Sequence, residues 1–480
     1  MKNKRTYIIF SIMITLLSIS VVNKTFQNDT YSAIKIGDYI LHHGIDFVEH
    51  FNFNQLFYHN ARWLFNVIIA FIYNKFDFFG IYIFTILNSI ALGLIIFNTL
   101  LKRNKNIIIS FLITILVIGF SCNALTARAQ IISYILLFLE VIFIEKLIKS
   151  NKKRNIFALL ILSVLIANIH TTIWPMVLFL FLPYFAEYII FKIIKKPKVL
   201  YSETKSIKLL IITFVIISLS GLLTPLGFLP YTYMFKTMHG FSTVFIDELK
   251  RVNVFFDVSM LILTIVYIYL FIYIRKKIKI SDIFMVLGLF IMAIMASRNI
   301  FFFIIIGSIS LSRLMMDNMG KIKKDLDYLC KSNIMKVIII FPVLIMISAF
   351  FIKNIYKKPY VDENMYPVKA SDYIIKNLDL DNLRIYNDFD YGSYLEFRGI
   401  KVFLDSRSEV YCKEFNNTSI LEDWYNISYL KVNYKFVFEK YNFNYILLYR
   451  GEMLNNYLSL DSDYELVYGD NNFVLYKKVE

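Results

Sequence analysis

The chain has 480 residues, of which 58% are hydrophobic, and a formal charge of +16. Its apolar residues run in blocks longer and more numerous than a soluble core needs, and its Lys and Arg sit in short clusters between those blocks. That distribution writes membrane topology rather than a nucleic-acid footprint, and Cys122, Cys330 and Cys412 are too scattered for a metal or disulfide framework.

The N-terminus reads Met1-Lys-Asn-Lys-Arg5 and then an apolar run over 7–22. No small-x-small cleavage pattern follows, so this run is expected to be an uncleaved first helix. A spanning helix needs about 20 apolar residues, and further spans are predicted near 80–100, 107–121, 130–146, 156–169, 174–191, 209–224, 258–274, 282–297, 299–315 and 337–353. The basic clusters Lys2/Lys4/Arg5, Lys102/Arg103/Lys105, Lys146 to Arg154, Lys192 to Lys208, Arg275 to Lys279 and Lys321 to Lys336 then share one side. By the positive-inside rule that side is cytoplasmic, and eleven crossings place the C-terminus outside. The expected architecture is therefore an α-helical polytopic membrane protein with a membrane domain over 1–353 and a small α/β extracytoplasmic domain over 354–480.

Two outer loops are long. The first, over 23–79, contains an apolar stretch from Trp63 to Tyr73 that is short for a crossing and reads as an interfacial helix. The second, over 224–256, holds Pro225, Pro230, His239 and Asp247. Beyond residue 354, charges of both signs appear and apolar runs shrink to strand length. Pro367 opens a predicted helix to Asn377, and 383–386, 401–404 and 445–448 read as strands. The stretches 464–468 and 472–476 flank Gly469-Asp-Asn as a hairpin.

Asp29 lies just past the first span. An ionised carboxylate at the membrane surface can take a proton from an acceptor hydroxyl or hold a divalent cation; the structural alternative is that Asp29 caps the following helix. Arg128 and Gln130, His170 with Asn168, and Arg298 stand at predicted helix ends on the outer side, where ionisable groups face a cavity, a partner or the headgroups. In the C-terminal region, Asp388 and Asp390 follow one predicted strand, and Asp405 and Arg407 follow the next. Acidic groups there can line a ligand crevice, or cap helices and pair with Arg407. No P-loop, dinucleotide fingerprint, zinc-helix motif or nucleophile elbow is present.

These elements together resemble bacterial multi-spanning proteins of the GT-C glycosyltransferase superfamily, the group of the protein O-mannosyltransferases, aminoarabinose transferases and oligosaccharyltransferases. The resemblance runs through Asp29 to Asp46 (D-x-x-x-x-I-K-I-G-x-x-I-L-x-x-G-I-D), Trp63-Leu-Phe65, Arg128-Ala-Gln130-Ile-Ile-Ser-Tyr134, Ala167-Asn-Ile-His170, Arg298-Asn-Ile-Phe-Phe-Phe303, Asn387 to Leu395 and Phe403 to Arg407. It implies an enzyme, a hexosyl- or pentosyltransferase, taking sugar from a polyprenyl-phosphate-linked donor at the outer face of a bacterial cytoplasmic membrane. Asp29 matches the base. Arg128, Gln130, His170, Arg298, Lys35 and His43 match candidate substrate contacts. Departures are Ala129 where Pro is common, Tyr31-Ser32 in place of an aromatic-His pair, Asn66 where an acid is expected, and no second acid beside Asp29. No metal ligands are assigned and the cofactor is left open, a divalent cation included. Two other readings stay open: a non-catalytic component of envelope polysaccharide assembly on the same scaffold, and a secondary transporter, although no internal repeat supports the latter.

Overall fold

In the computed structural model, described for residues 2–54, 56–193, 200–203, 207–238, 240–273, 278–318 and 333–479, every predicted apolar stretch forms helix. Four helical segments combine the length and hydropathy of a crossing: Trp63–Asn104, Thr171–Ile193, Ser297–Met316 and Val337–Asn354. Lys2–Ser20 and Ala129–Ser150 are as long but carry charges within them, such as Arg5 in the first and Glu140 and Glu145 in the second. The remaining apolar helices run 10–17 residues. His239, Cys330 and most of the 321–336 basic cluster lie outside the described residues.

Local chemistry sets several boundaries. Asn106 caps the Ile107–Phe120 helix by accepting from the Ile109 amide at 3.0 Å. Asn151 ends the Ala129–Ser150 helix in the left-handed region at φ 52°. The expected span 174–191 is broken: Pro175–Phe179 and Leu182–Ile193 are separate helices, and Pro183, which lacks a backbone donor, opens the second. The interfacial stretch at Trp63 and the following span form one 42-residue run, interrupted at Asp77, whose φ of 55° and ψ of −160° are not helical. The 224–256 loop contains the Leu229–Met238 and Ser242–Phe245 helices.

Packing divides the chain into two units. The first gathers 1–24, 82–231 and 246–357. Its helices carry a buried ionic network: Arg313 holds Asp282 at 2.8 Å and Glu145 at 2.7 Å, and Arg103 reaches the other Glu145 oxygen at 2.6 Å. Lys279, almost wholly buried, pairs with Glu203 at 2.9 Å. Charges taken out of water persist only when paired and hydrogen-bonded, so this network ties together four helices and the short Leu200–Tyr201/Ile278–Lys279 strand pair.

The second unit gathers 25–81, 232–245 and 358–480, so packing groups most of the first outer loop with the C-terminal residues. Its sheet runs in the spatial order Ile385–Tyr386, Tyr445–Tyr449, Phe473–Lys478, Tyr464–Gly469, the first pair parallel and the others antiparallel. The terminal hairpin and the helix after Pro367 (Val368–Asn377) match expectation. The predicted strand at 401–404 does not join the sheet. Val402 instead makes an isolated bridge with Asn52, and the Phe403 amide donates to Asn387 Oδ1 at 2.9 Å. Its apolar residues Val402, Phe403 and Leu404 are buried all the same, which is why the stretch reads as a strand.

Candidate functional site

Asp29 sits in the first turn of the Asn28–His43 helix. It is not the cap: the N-cap is Gln27, which makes no side-chain capping bond. The Asp29 carboxylate lies 3.6 Å from Arg62 Nη1, both side chains mostly buried. Arg62 occupies a tight turn entering the Trp63 helix, in which the Trp63 amide donates to the Asn60 carbonyl at 2.9 Å and Asn60 takes φ 49°. Two close approaches fix this geometry. A Cβ on Gly37 would stand 1.9 Å from the Asn66 carbonyl oxygen, so only glycine lets the Asp29 helix cross the Trp63 helix there. A Cβ on Gly392 would stand 2.0 Å from the Leu404 carbonyl oxygen, and the Gly392–Phe397 helix packs on the Asp29 helix.

The C-terminal acids Asp388 and Asp390 come to the same end of that helix. Asn28 Nδ2 donates to the Phe389 carbonyl at 2.9 Å, and both Asp29 and Asp390 act electrostatically on the buried Tyr366. Asp388 accepts from the Trp424 indole at 3.1 Å. Burial, then the neighbouring Asp390, pushes its carboxyl up to about 6, and burial pushes the nearby Glu452 up to about 8. Arg62 also acts on the buried hydroxyls of Tyr58 and Tyr233, and Tyr233 bonds Glu409. His59, walled by Phe57, Tyr233 and Phe415, is pushed down to about 4 by burial and by Lys236.

Lys35 and His43 ride on the same helix but leave this end. Lys35 lies over the Phe51 ring at 5.8 Å. His43 is exposed in the last turn, stacked on Tyr39 at 4.5 Å. Fourteen residues separate it from Asp29, about 21 Å at the helical rise of 1.5 Å per residue.

Asp405 and Arg407 follow the pairing alternative. Arg407, wholly buried, holds Asp405 through Nε at 2.8 Å and Nη2 at 2.6 Å, Glu396 at 2.7 Å and Glu49 at 2.5 Å, with Tyr58 beneath its guanidinium at 4.7 Å. Tyr411 donates its hydroxyl to Asp405. Burial pushes Glu49 and Glu396 up; at Asp405 the Arg407 charge and the donated hydrogen bonds outweigh burial and bring the carboxyl below its ordinary value. Three carboxyls thus surround one guanidinium and fasten the first loop to the C-terminal segment.

Within the first unit, two of the helix-end residues, Arg128 and Arg298, act electrostatically on Tyr134. Arg128, Arg298 and Glu248 are the charged groups acting on its hydroxyl. Arg128 Nη1 pairs with Glu248 at 2.6 Å. One residue before Tyr134, Ser133 Oγ and His170 Nδ1 lie 2.9 Å apart in the interior. Asn168 donates to the Val164 and Leu223 carbonyls, and Gln130 Oε1 is buried. Arg128, Gln130, His170 and Arg298 therefore all belong to the first unit, while Asp29 belongs to the other. Arg62, Glu248, Glu49 and Glu396 escape a reading of the sequence. Their partners lie from 11 to 358 residues away, and only the position of Arg62, directly before the Trp63-Leu-Phe element, offered a signal. Among the described residues, no group of three or more His, Cys, Asp or Glu is arranged to hold a metal ion.

This helical fold resembles that of ArnT, a GT-C glycosyltransferase. Among the solved structures it matches are two of ArnT, an aminoarabinose transferase, from Cupriavidus metallidurans. The ArnT structure bound to undecaprenyl phosphate superposes with a TM-score of 0.56 at 10% identity over 99% of this chain and 97% of that one. The apo structure gives 0.55 at 11% identity, over 100% and 99%. No family model and no curated sequence matches the chain. The likeness read from scattered motifs thus holds for the fold along the whole chain.

Proposed function

We propose that the chain is a membrane glycosyltransferase that moves a sugar from a polyprenyl-phosphate-linked donor to an extracytoplasmic acceptor of the bacterial envelope, with Asp29 as base. The reading rests on one observation above the others: Asp29, the motif acid, is held beside Arg62 at 3.6 Å in a chain whose whole length follows the ArnT fold. The bound ligand of that neighbour, undecaprenyl phosphate, supports a polyprenyl carrier here.

In the proposed reaction the acceptor hydroxyl oxygen attacks the anomeric carbon, and its proton passes to the Asp29 carboxylate. The bond from that carbon to the phosphate oxygen breaks, its electron pair stays with the phosphate, and polyprenyl phosphate leaves with inversion at the sugar. Arg62 orients the carboxylate. Arg128 and Arg298 offset the phosphate charge, with Gln130 and His170 as hydrogen-bonding groups. On this reading eleven crossings put the N-terminus in the cytoplasm and the second unit outside.

A positioned base contributes about 10²–10⁴-fold. Asp29→Asn in the reconstituted full chain is expected to cut transfer from lipid-linked sugar by at least about 10²-fold with unchanged thermal unfolding. Full activity in that variant would remove Asp29 from the mechanism.

A further inference from the structure

The stretch from Lys146 to Arg154 holds Lys146, Lys149, Lys152, Lys153 and Arg154 and no acid. It is a tied turn between two helices. Ser150 Oγ donates to the Lys146 carbonyl at 2.7 Å, Asn155 Nδ2 donates to Ser150 Oγ at 3.0 Å, and Asn151 takes a left-handed φ of 52°. A second basic run, Lys102-Arg103-Asn104-Lys105, ends the Trp63–Asn104 helix beside this turn. Arg103 Nη1 reaches Glu145, the residue before Lys146, at 2.6 Å. The acids within reach are already engaged: Glu145 is shared by Arg103 and Arg313, and Glu203 by Lys149 at 3.3 Å and Lys279 at 2.9 Å. Among the described residues, no acid pairs with Lys102, Lys146, Lys152, Lys153 or Arg154, all of them exposed. The charged groups acting on Lys146 are Lys102, Arg154 and Arg103, every one a cation. Three of these cations also crowd the start of the Arg154–Ile169 helix, which has no acid in its first turn and no side-chain cap. A helix dipole opposes positive charge there, and a bound anion removes that cost.

Helix geometry says what this patch faces. Lys146 follows Arg128 by 18 residues along the Ala129–Ser150 helix, a rise of about 27 Å. That is close to the roughly 30 Å of a bilayer's hydrocarbon core, so the patch lies at the other membrane surface from Arg128 and is no second contact to the donor phosphate. The Arg154–Ile169 helix leads away from the patch with Phe157, Ile161 and Leu165 exposed at four-residue spacing. Residues so spaced share one helix face, and here they form an apolar stripe about 12 Å long. The Lys146 ammonium itself stands over the Phe143 ring at 4.4 Å. A soluble anion would use only the cations, whereas a charged lipid uses the cations and the stripe together. We propose that Lys102, Lys146 and the 152–154 cations form a binding site for an anionic phospholipid of this leaflet, its phosphate on the cations and an acyl chain along Phe157, Ile161 and Leu165. The site is separate from sugar transfer and does not depend on it.

The test measures lipid binding to the purified full chain by native mass spectrometry. The probes are dioleoyl phosphatidylglycerol and dioleoyl phosphatidylcholine, which share acyl chains and differ in headgroup charge. Each cation beside an anionic headgroup strengthens binding about fivefold. Lys146→Gln/Arg154→Gln is therefore expected to weaken phosphatidylglycerol about 25-fold and to leave phosphatidylcholine unchanged. The charge-keeping pair Lys146→Arg/Arg154→Lys should bind as the parent does, which separates lost charge from a damaged fold. Phe157→Ser should weaken both lipids. Lys192→Gln/Lys208→Gln removes two exposed cations of another basic stretch and should leave phosphatidylglycerol at the parent affinity. An equal loss in both Gln pairs would reduce the effect to general surface charge and overturn the site. So would a parent that binds the two lipids alike, or glycerol phosphate displacing phosphatidylglycerol at equal concentration.

Discussion

Asp388 illustrates what single residues contribute beyond their place in a motif. Its half-buried carboxyl accepts from the Trp424 indole and acts electrostatically on Glu452. Both carboxyls hold their protons more tightly in the folded chain than in the unfolded one, so the folded state binds the extra protons. The stability they contribute is present at low pH and is lost as pH rises through about 6 for Asp388 and about 8 for Glu452. Being neighbours, they titrate as a pair. The thermal midpoint of the full chain is expected to fall between about pH 5 and about pH 8, and Glu452→Gln should flatten the upper part of that slope. Trp424 emission should titrate with a midpoint near 6 that disappears in Asp388→Asn; an unchanged midpoint in that variant would assign the transition elsewhere. Of the residues around Asp29, the acid itself was legible because it stands in a patterned loop. Its partner Arg62 was not, because nothing in the 32 residues of intervening sequence encodes which cation folds back onto it.

Among the elements, the Asn28–His43 helix is the one whose placement decides the candidate site, and its placement depends on Gly37. The Asn66 backbone cannot yield to a methyl group as a flexible side chain would. Gly37→Ala is expected to cost about 1–3 kcal/mol of stability through overpacking and to lower transfer by shifting Asp29. Gly288→Ala, inside the Ile280–Met295 helix where a Cβ would meet nothing within 4 Å, should lower neither thermal stability nor turnover. If the two variants melt alike, the close crossing is not what positions the helix. Helices were legible because an apolar block of membrane length admits few other structures. The 401–404 segment was misread because a buried apolar run looks the same whether it pairs in a sheet or packs as a connector. Its single bridge to Asn52 belongs to tertiary structure, which periodicity does not carry.

For the molecule as a whole, composition sufficed to indicate membrane helices, and the positive clusters predicted an orientation. The grouping of 25–81 and 232–245 with 358–480 was not legible, since the sequence shows one composition shift near residue 354 and packing crosses it. The proposed orientation is tested by fusions at the C-terminus. Alkaline phosphatase joined there should be active and a cytoplasm-dependent fluorescent protein dark; the reverse pattern would put the second unit in the cytoplasm and remove an extracytoplasmic acceptor from the proposal.

The Asn28–Phe389 and Glu49–Arg407 contacts each join residues more than 350 positions apart. At about 5–20 residues per second, the ribosome needs roughly 20–70 seconds to make the chain between them. Through that interval the first loop exists without the segment that buries its glutamate and braces the start of the Asp29 helix. A chain cut short anywhere before Phe389 lacks both contacts, and its Asp29 helix is left without this brace.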